Sequence, residues 1–321
     1  MKKFLFLPLF LFVQILSAQP TSIFMNDKSD SNIDIQPEWT RSNKVGMDIS
    51  EVAFTNWNAG GSNSISALIS SESNYNYKDK YFNWKNRLTT RYGINKQEAR
   101  ELRKTEDLIE FNSNLGYRPD SLSNWFYSAR LNFKTQFSNG YQYPDTEKPI
   151  SRFMAPGYLF FGVGMEYGKN IDKLSFYFSP LTFKTTFVLD QELANAGAFG
   201  VKPAEYDALG NIITKGERLQ RELGILLTNS YEMEIIDNIT MRHLVSLYTD
   251  YINSFGNIDV DWQITFDFKV NNFIKATFGS HIRYDDDVKI KKPTEIEGEF
   301  EEVGAKVQWK QFLGIGFAVD F

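Results

Sequence analysis

The sequence predicts an all-β protein, a transmembrane antiparallel β-barrel of about twelve strands. Three observations predict it. About a dozen stretches alternate apolar and polar residues with a period of two, the mark of a strand with one apolar face. After the first residues, no apolar run approaches the ~18 residues a membrane helix needs. The connections between the alternating stretches are short and long by turns, as barrel turns and outer loops are.

Composition sets the bounds. Residues 1–18 read as a signal peptide: Lys2 and Lys3, then an apolar core from Phe4 to Leu16, then Ser17-Ala18 before Gln19. Its removal takes the formal net charge from −5 to −7, which argues against nucleic-acid binding. The chain has no Cys, so neither disulfides nor a lipidated cysteine are expected. Mean hydropathy is only −0.37, yet Phe alone numbers 28. A barrel reconciles the two, because half of each strand faces a polar lumen while the other half faces lipid.

The elements follow in order. Residues 19–44 are polar and aperiodic and read as a flexible periplasmic segment. The barrel is expected over residues 45–321, with a first strand at about 45–54. Asn56, Trp57, Asn58, Ala59, Gly60 and Gly61 form a turn-rich run, followed by a strand to Tyr77. From Tyr81 to Lys96, Phe82, Trp84, Leu88 and Tyr92 alternate with Lys85, Arg87 and Arg91. Strands at Asp107–Tyr117 and Asn124–Phe137 come next, the latter with Arg130 and Lys134 opposite its aromatics. At Gly157–Gly168 the glycines share one face, which predicts crowding or a bend. Leu174–Leu189 carries Ser179-Pro180, a predicted bulge, since Pro cannot donate to a ladder. Further strands are expected at about Gln220–Ile235, Ile239–Tyr251, Asn257–Val270 and Phe273–Asp285. The last runs from Val303 to Phe321, with apolar residues at odd positions. Its terminal Phe321 is a candidate assembly signal for the barrel-assembly machinery.

The polar faces define candidate lumen residues. The cations are Lys85, Arg87, Arg91, Arg130, Lys134, Lys269, Lys275, Arg283, Lys306 and Lys310; the acids are Asp259, Asp261, Asp267 and Asp285. Such a lining suits a selective pore for small polar or anionic solutes. The same residues could instead interlock as ion pairs that plug a barrel of this size. Twelve strands fall between the ~8 that side chains fill and the ~16–18 that leave an aqueous channel.

Asn56–Gly61 also carries a resemblance. Asn-Trp-Asn-Ala-Gly-Gly is similar to the signature of the DUF3078 family, outer-membrane β-barrels of Bacteroidetes with no assigned function. Tyr81–Tyr92, Thr135-Gln136-Phe137 with Gly140-Tyr141, Ser151–Pro156, Ser179-Pro180 and Arg283–Asp287 extend it. The resemblance implies the outer membrane of a Gram-negative cell and supplies no catalytic residues.

Other constellations are weaker. Asn56, Trp57, Asn58, Gly60 and Gly61 are candidate outer-loop contacts, with Trp57 able to stack on sugar; turn geometry with an interfacial Trp is the preferred reading. Asp285–Asp287 lacks the spacing of a calcium loop, so no metal or cofactor is expected. His243 and His281 are the only histidines, and no spacing pairs either with a serine nucleophile. The expected function is therefore a small non-enzymatic channel contacting outer-membrane lipid. The alternatives are a plugged barrel that binds another outer-membrane protein, and, last, a lipid hydrolase.

Overall fold

The computed structural model describes residues 37–53, 62–168, 173–252, 255–271, 274–285, 289–293 and 300–320. Its strands are β1 (Glu38–Val52), β2 (Ser64–Lys78), β3 (Phe82–Gln97), β4 (Arg103–Tyr117), β5 (Trp125–Thr135), β6 (Gly140–Tyr141), β7 (Pro149–Ser151), β8 (Gly157–Tyr167) and β9 (Leu174–Phe187). After a short helix α1 (Gln191–Asn195) come β10 (Glu205–Tyr206), β11 (Ile212–Thr214), β12 (Leu219–Ile236), β13 (Ile239–Asp250), β14 (Asp259–Lys269), β15 (Ile274–Tyr284), β16 (Lys289–Pro293), β17 (Phe300–Ala305) and β18 (Gln308–Asp320). Twelve of them close into an antiparallel barrel in the order β1-β18-β15-β14-β13-β12-β9-β8-β5-β4-β3-β2. The last strand pairs with the first, Val45 opposite Val319. Closure gives every barrel strand a partner on each side. Among the described residues, no helix is long and apolar enough to cross a membrane.

The fold class and strand count match the sequence reading, but several boundaries differ. β1 begins at Glu38, inside the segment expected to be flexible, because Trp39↔Tyr77 and Arg41↔Tyr75 already pair. The terminal stretch is two elements. Phe300–Ala305 pairs with β16 in a separate hairpin, and the barrel strand starts only at Gln308. The period of two runs through both, so alternation could not reveal the break. The long gaps also hold structure: β6–β7, the helix α1 with the hairpin β10–β11, and β16–β17.

Register fixes which side chains face out. Met47 lies opposite both Ile69 and Phe317, and all three are exposed. At the short-turn end, outward rings form a belt: Trp39 stacks on Tyr75 at 4.6 Å and meets Trp84 at 5.9 Å, while Trp125 meets Tyr167 at 5.1 Å. The turn between β2 and β3 is held by Asp79, which accepts from the backbone N–H of Phe82 (2.6 Å) and Tyr81 (2.7 Å) and the Tyr77 hydroxyl (2.8 Å). Burial pulls the Asp79 carboxyl up, but these donors outweigh it and hold the group below its ordinary value.

The predicted bulge at Ser179-Pro180 is present. Both neighbours of β9 shift register there, between Val163 and Met165 on β8 and between Gly224 and Leu226 on β12. Ser179 fills the gap, its hydroxyl oxygen lying 2.9 Å from the Val163 carbonyl and 3.0 Å from the Leu181 carbonyl, either of which can take its one proton. Gly164 faces the bulge, and a Cβ there would lie 2.0 Å from the Phe178 carbonyl oxygen. Only glycine fits that approach.

At the long-loop end, Ala155, Val188, Ala194 and Val201 form a small buried cluster with Leu193 and Phe199 against it. Asp190 caps α1, accepting from the Leu193 N–H at 3.0 Å, and pairs with Arg152 at 3.0 Å. The loop after β9 is thereby tied to the loop before β8.

Candidate functional site

The barrel interior is the candidate site, and its two sides are built differently. On the side of β5, β8, β9 and β12–β15, charges are buried and paired. Lys184 of β9 is the hub, its side chain 5% exposed. Its Nζ lies 2.9 Å from Glu222 of β12, 3.0 Å from Asp259 of β14 and 4.0 Å from Asp285, the residue that follows β15. It also sits 5.2 Å from the Tyr248 ring centroid. One ammonium thus ties four strands, two of them beyond its own neighbour. Arg283 lies 3.5 Å from Asp285 and 5.2 Å over the Tyr158 ring. Asp261 bonds His281 Nε2 at 3.0 Å and accepts from Gln263 at 3.1 Å. Lys134 pairs with Glu110 at 3.3 Å.

Towards the short turns, Glu166 of β8 forms a second buried centre. It accepts from Ser175 (2.6 Å), Asn114 (2.9 Å) and Ser128 (3.2 Å), and pairs with Arg130 at 2.9 Å. The Arg130 guanidinium lies 4.1 Å over the Tyr177 ring, which is fully buried. Gly162 makes room, since a Cβ there would come within 3.0 Å of the Tyr177 hydroxyl.

The side formed by β1–β3 and β18 is open. Arg87, on the inward face of β3, keeps 57% of its side-chain surface exposed. It donates to Asn74 at 3.0 Å and lies 3.9 Å from Glu72. Arg91, two turns of the pleat along the same face, is exposed and pairs with no carboxylate among the described residues. Lys310 of β18 reaches Glu106 of β4 and is 48% exposed. Inward-facing Lys85 of β3 is half-buried on this lining, and half-buried Lys275 of β15 reaches over to it, its Nζ 3.7 Å from where a Cβ on Gly46 of β1 would stand.

The sequence-predicted lumen residues are therefore distributed over both sides. Arg130, Lys134, Asp259, Asp261, Arg283 and Asp285 belong to the buried networks. Lys85, Arg87, Arg91, Lys275 and Lys310 line the open side. Asp267 pairs with Arg242 at 2.7 Å near the short turns, and Lys269 is exposed at the end of β14. Lys306 is a correction: it lies in the connection between β17 and β18, off the barrel wall. Asn56, Trp57, Asn58, Gly60, Gly61 and Phe321 lie outside the described residues, as do Asp286 and Asp287. Among the described residues, no group of His, Asp and Glu is placed to hold a metal ion.

Sequence reasoning missed Lys184, Glu222, Glu166 and Arg242. The bulge explains the first: one inserted residue switches the inward parity from Ser175 and Tyr177 to Thr182 and Lys184. Glu166, Glu222 and Arg242 stand at polar positions of alternating strands, and that was a usable signal for them. His243 faces outward, its ring edge-on to Trp262 at 6.2 Å. Ser280 also faces outward and accepts from the Trp309 indole at 3.0 Å, so it does not approach the adjacent His281.

No curated protein matches the chain. Among solved structures, the chain is similar to a NanC porin (10% identity, 86% of this chain and 98% of that one, TM-score 0.36). It is similar to an outer membrane channel from Pseudomonas putida F1 (9% identity, 91% and 99%, TM-score 0.41). It is also similar to the translocator domain of the autotransporter NalP from Neisseria meningitidis (10% identity, 90% and 90%, TM-score 0.33). Residues 49–141, under a third of the chain, match the family model described as "Protein of unknown function (DUF3078)".

Proposed function

We propose that this chain is an outer-membrane channel for small polar solutes, with a preference for anions. The membrane part of this reading rests on the outer surface. An apolar exposed band runs round a closed barrel, with the belt of Trp39, Tyr75, Trp84, Trp125 and Tyr167 at one end. The leader at residues 1–18 supplies the route of export.

The observation that carries the channel is the exposure of Arg87 inside the barrel. An inward guanidinium more than half open to solvent needs a water-filled space beside it. Arg91 and Lys310 extend that space along the same side. The buried networks opposite act as a rigid buttress that narrows the lumen without filling it. Solutes then move past cations, which lower the barrier for anions and raise it for cations.

The test is single-channel recording of the refolded chain in a planar bilayer under a salt gradient. Discrete open steps with a reversal potential on the anion side are expected. A correctly folded but silent barrel would reject the channel and favour the plugged, partner-binding reading, for which the cross-strand reach of Lys184 is the supporting observation.

A further inference from the structure

A second site lies outside the lumen, at the long-loop end of β3 and β4. β5 stops pairing with β4 at Ile109↔Thr135, so above that point β4 is paired with β3 alone and its other edge has no strand beside it. The loop after β5 folds onto that edge instead. Asp107 anchors it, accepting from the backbone N–H of Phe137 (2.7 Å) and of Ser138 (3.0 Å) and from the Ser138 hydroxyl (3.0 Å). Lys104 Nζ donates to Asp107 (2.8 Å) and to the Ser138 carbonyl (3.0 Å), which leaves one of its three protons.

Between edge and loop is a hollow of about 500 Å³, lined by Tyr92, Ile94, Leu102, Arg103, Lys104 and Tyr143 among others. Arg103 lies 4.6 Å over the Tyr143 ring. It makes no ion pair among the described residues, and its Nε is buried with no hydrogen-bond partner. A buried guanidinium N–H without an acceptor is costly. Asp107 does not fill that role: its oxygens accept from Lys104, Phe137 and Ser138. The floor of the hollow is apolar. Tyr92 and Ile94 share the outward face of β3 with Leu88 and Trp84, so the hollow opens onto the apolar barrel surface.

We propose that this hollow binds the phosphorylated headgroup of a lipid in the outer leaflet. Phosphate oxygens would accept from Arg103 and from the remaining Lys104 proton, with acyl chains lying along Tyr92 and Leu88. A free phosphate would use the cations alone and leave the apolar floor bare. The proposal rests on the membrane reading above.

The test titrates the full chain in neutral detergent with lipid A, phosphatidylcholine or inorganic phosphate, read by native mass spectrometry. Retention of lipid A is expected, with affinity falling roughly tenfold in Arg103→Gln and also falling in Tyr143→Leu, which removes the ring under the guanidinium. Equal retention of lipid A by wild type and both variants would overturn the site. So would equal retention of phosphatidylcholine, or inorganic phosphate binding as tightly as lipid A. Heat-modifiable gel migration checks that each variant is folded. A chain that stays monodisperse without detergent and does not enter vesicles defeats the membrane reading. A chain that inserts normally but ignores Arg103→Gln defeats the lipid site alone.

Discussion

The two sides of the lumen use the same residue types for opposite purposes. Lys184 and Arg87 are both inward-facing cations beside carboxylates. Lys184 is 5% exposed and meets Glu222, Asp259 and Asp285; Arg87 is 57% exposed and has Glu72 only at 3.9 Å. The difference is geometric. The bulge in β9 and glycines at 162 and 164 let that side crowd inward until charges lose water and must pair. β2 and β3 pair without a register shift, and Arg87 and Arg91 on the inward face of β3 stay exposed. Burial turns charge into architecture, and exposure leaves it available for solutes.

Breaking the buried hub should have the largest effect. Lys184→Met removes the buried cation shared by Glu222, Asp259 and Asp285. It is expected to cost about 3–5 kcal/mol, the usual result of removing one partner of a buried pair. Urea unfolding of the refolded barrel measures it, and a midpoint unchanged from wild type would contradict the hub. The open side should respond in the reverse way. Arg87→Glu with Arg91→Glu should shift stability by less than about 1 kcal/mol, as exposed pairs do. Its effect should appear in conduction, as a reversal potential moved towards cation selectivity. A large loss of stability with unchanged selectivity would erase the contrast between the two sides.

The smallest expected effect is at the turn between β2 and β3. The Asp79 carboxyl titrates lower in the folded chain than in the unfolded one, so its contribution is complete above the unfolded value. That contribution is lost as pH falls through the lowered folded value. Asp79→Ala should therefore lose a little stability at neutral pH and none at strongly acid pH. Unfolding midpoints at the two pH values check it. An equal loss at both would place the effect in packing rather than in the carboxylate.

Much of this molecule was legible from alternation alone. Closely spaced strands such as Phe82–Gln97 and Asp259–Lys269 were found because a barrel strand must put lipid on one face and polar groups on the other. The bulge was legible because Pro180 has no N–H to give. Alternation cannot see where a ladder ends, so it ran β17 into β18 and misplaced Lys306. Nor can it show that Trp39 already pairs within a polar segment.

The sequence by itself determined the all-β class, the strand count and which face of most strands turns inward, because period and turn chemistry are local. Only the tertiary structure decided which inward charges meet. Lys184 finds Asp259 and Asp285 across strands far apart in the chain, and Lys310 finds Glu106 only after the barrel closes. Distance across a lumen depends on closure, shear and crowding by neighbouring side chains, and none of these is written in any single stretch.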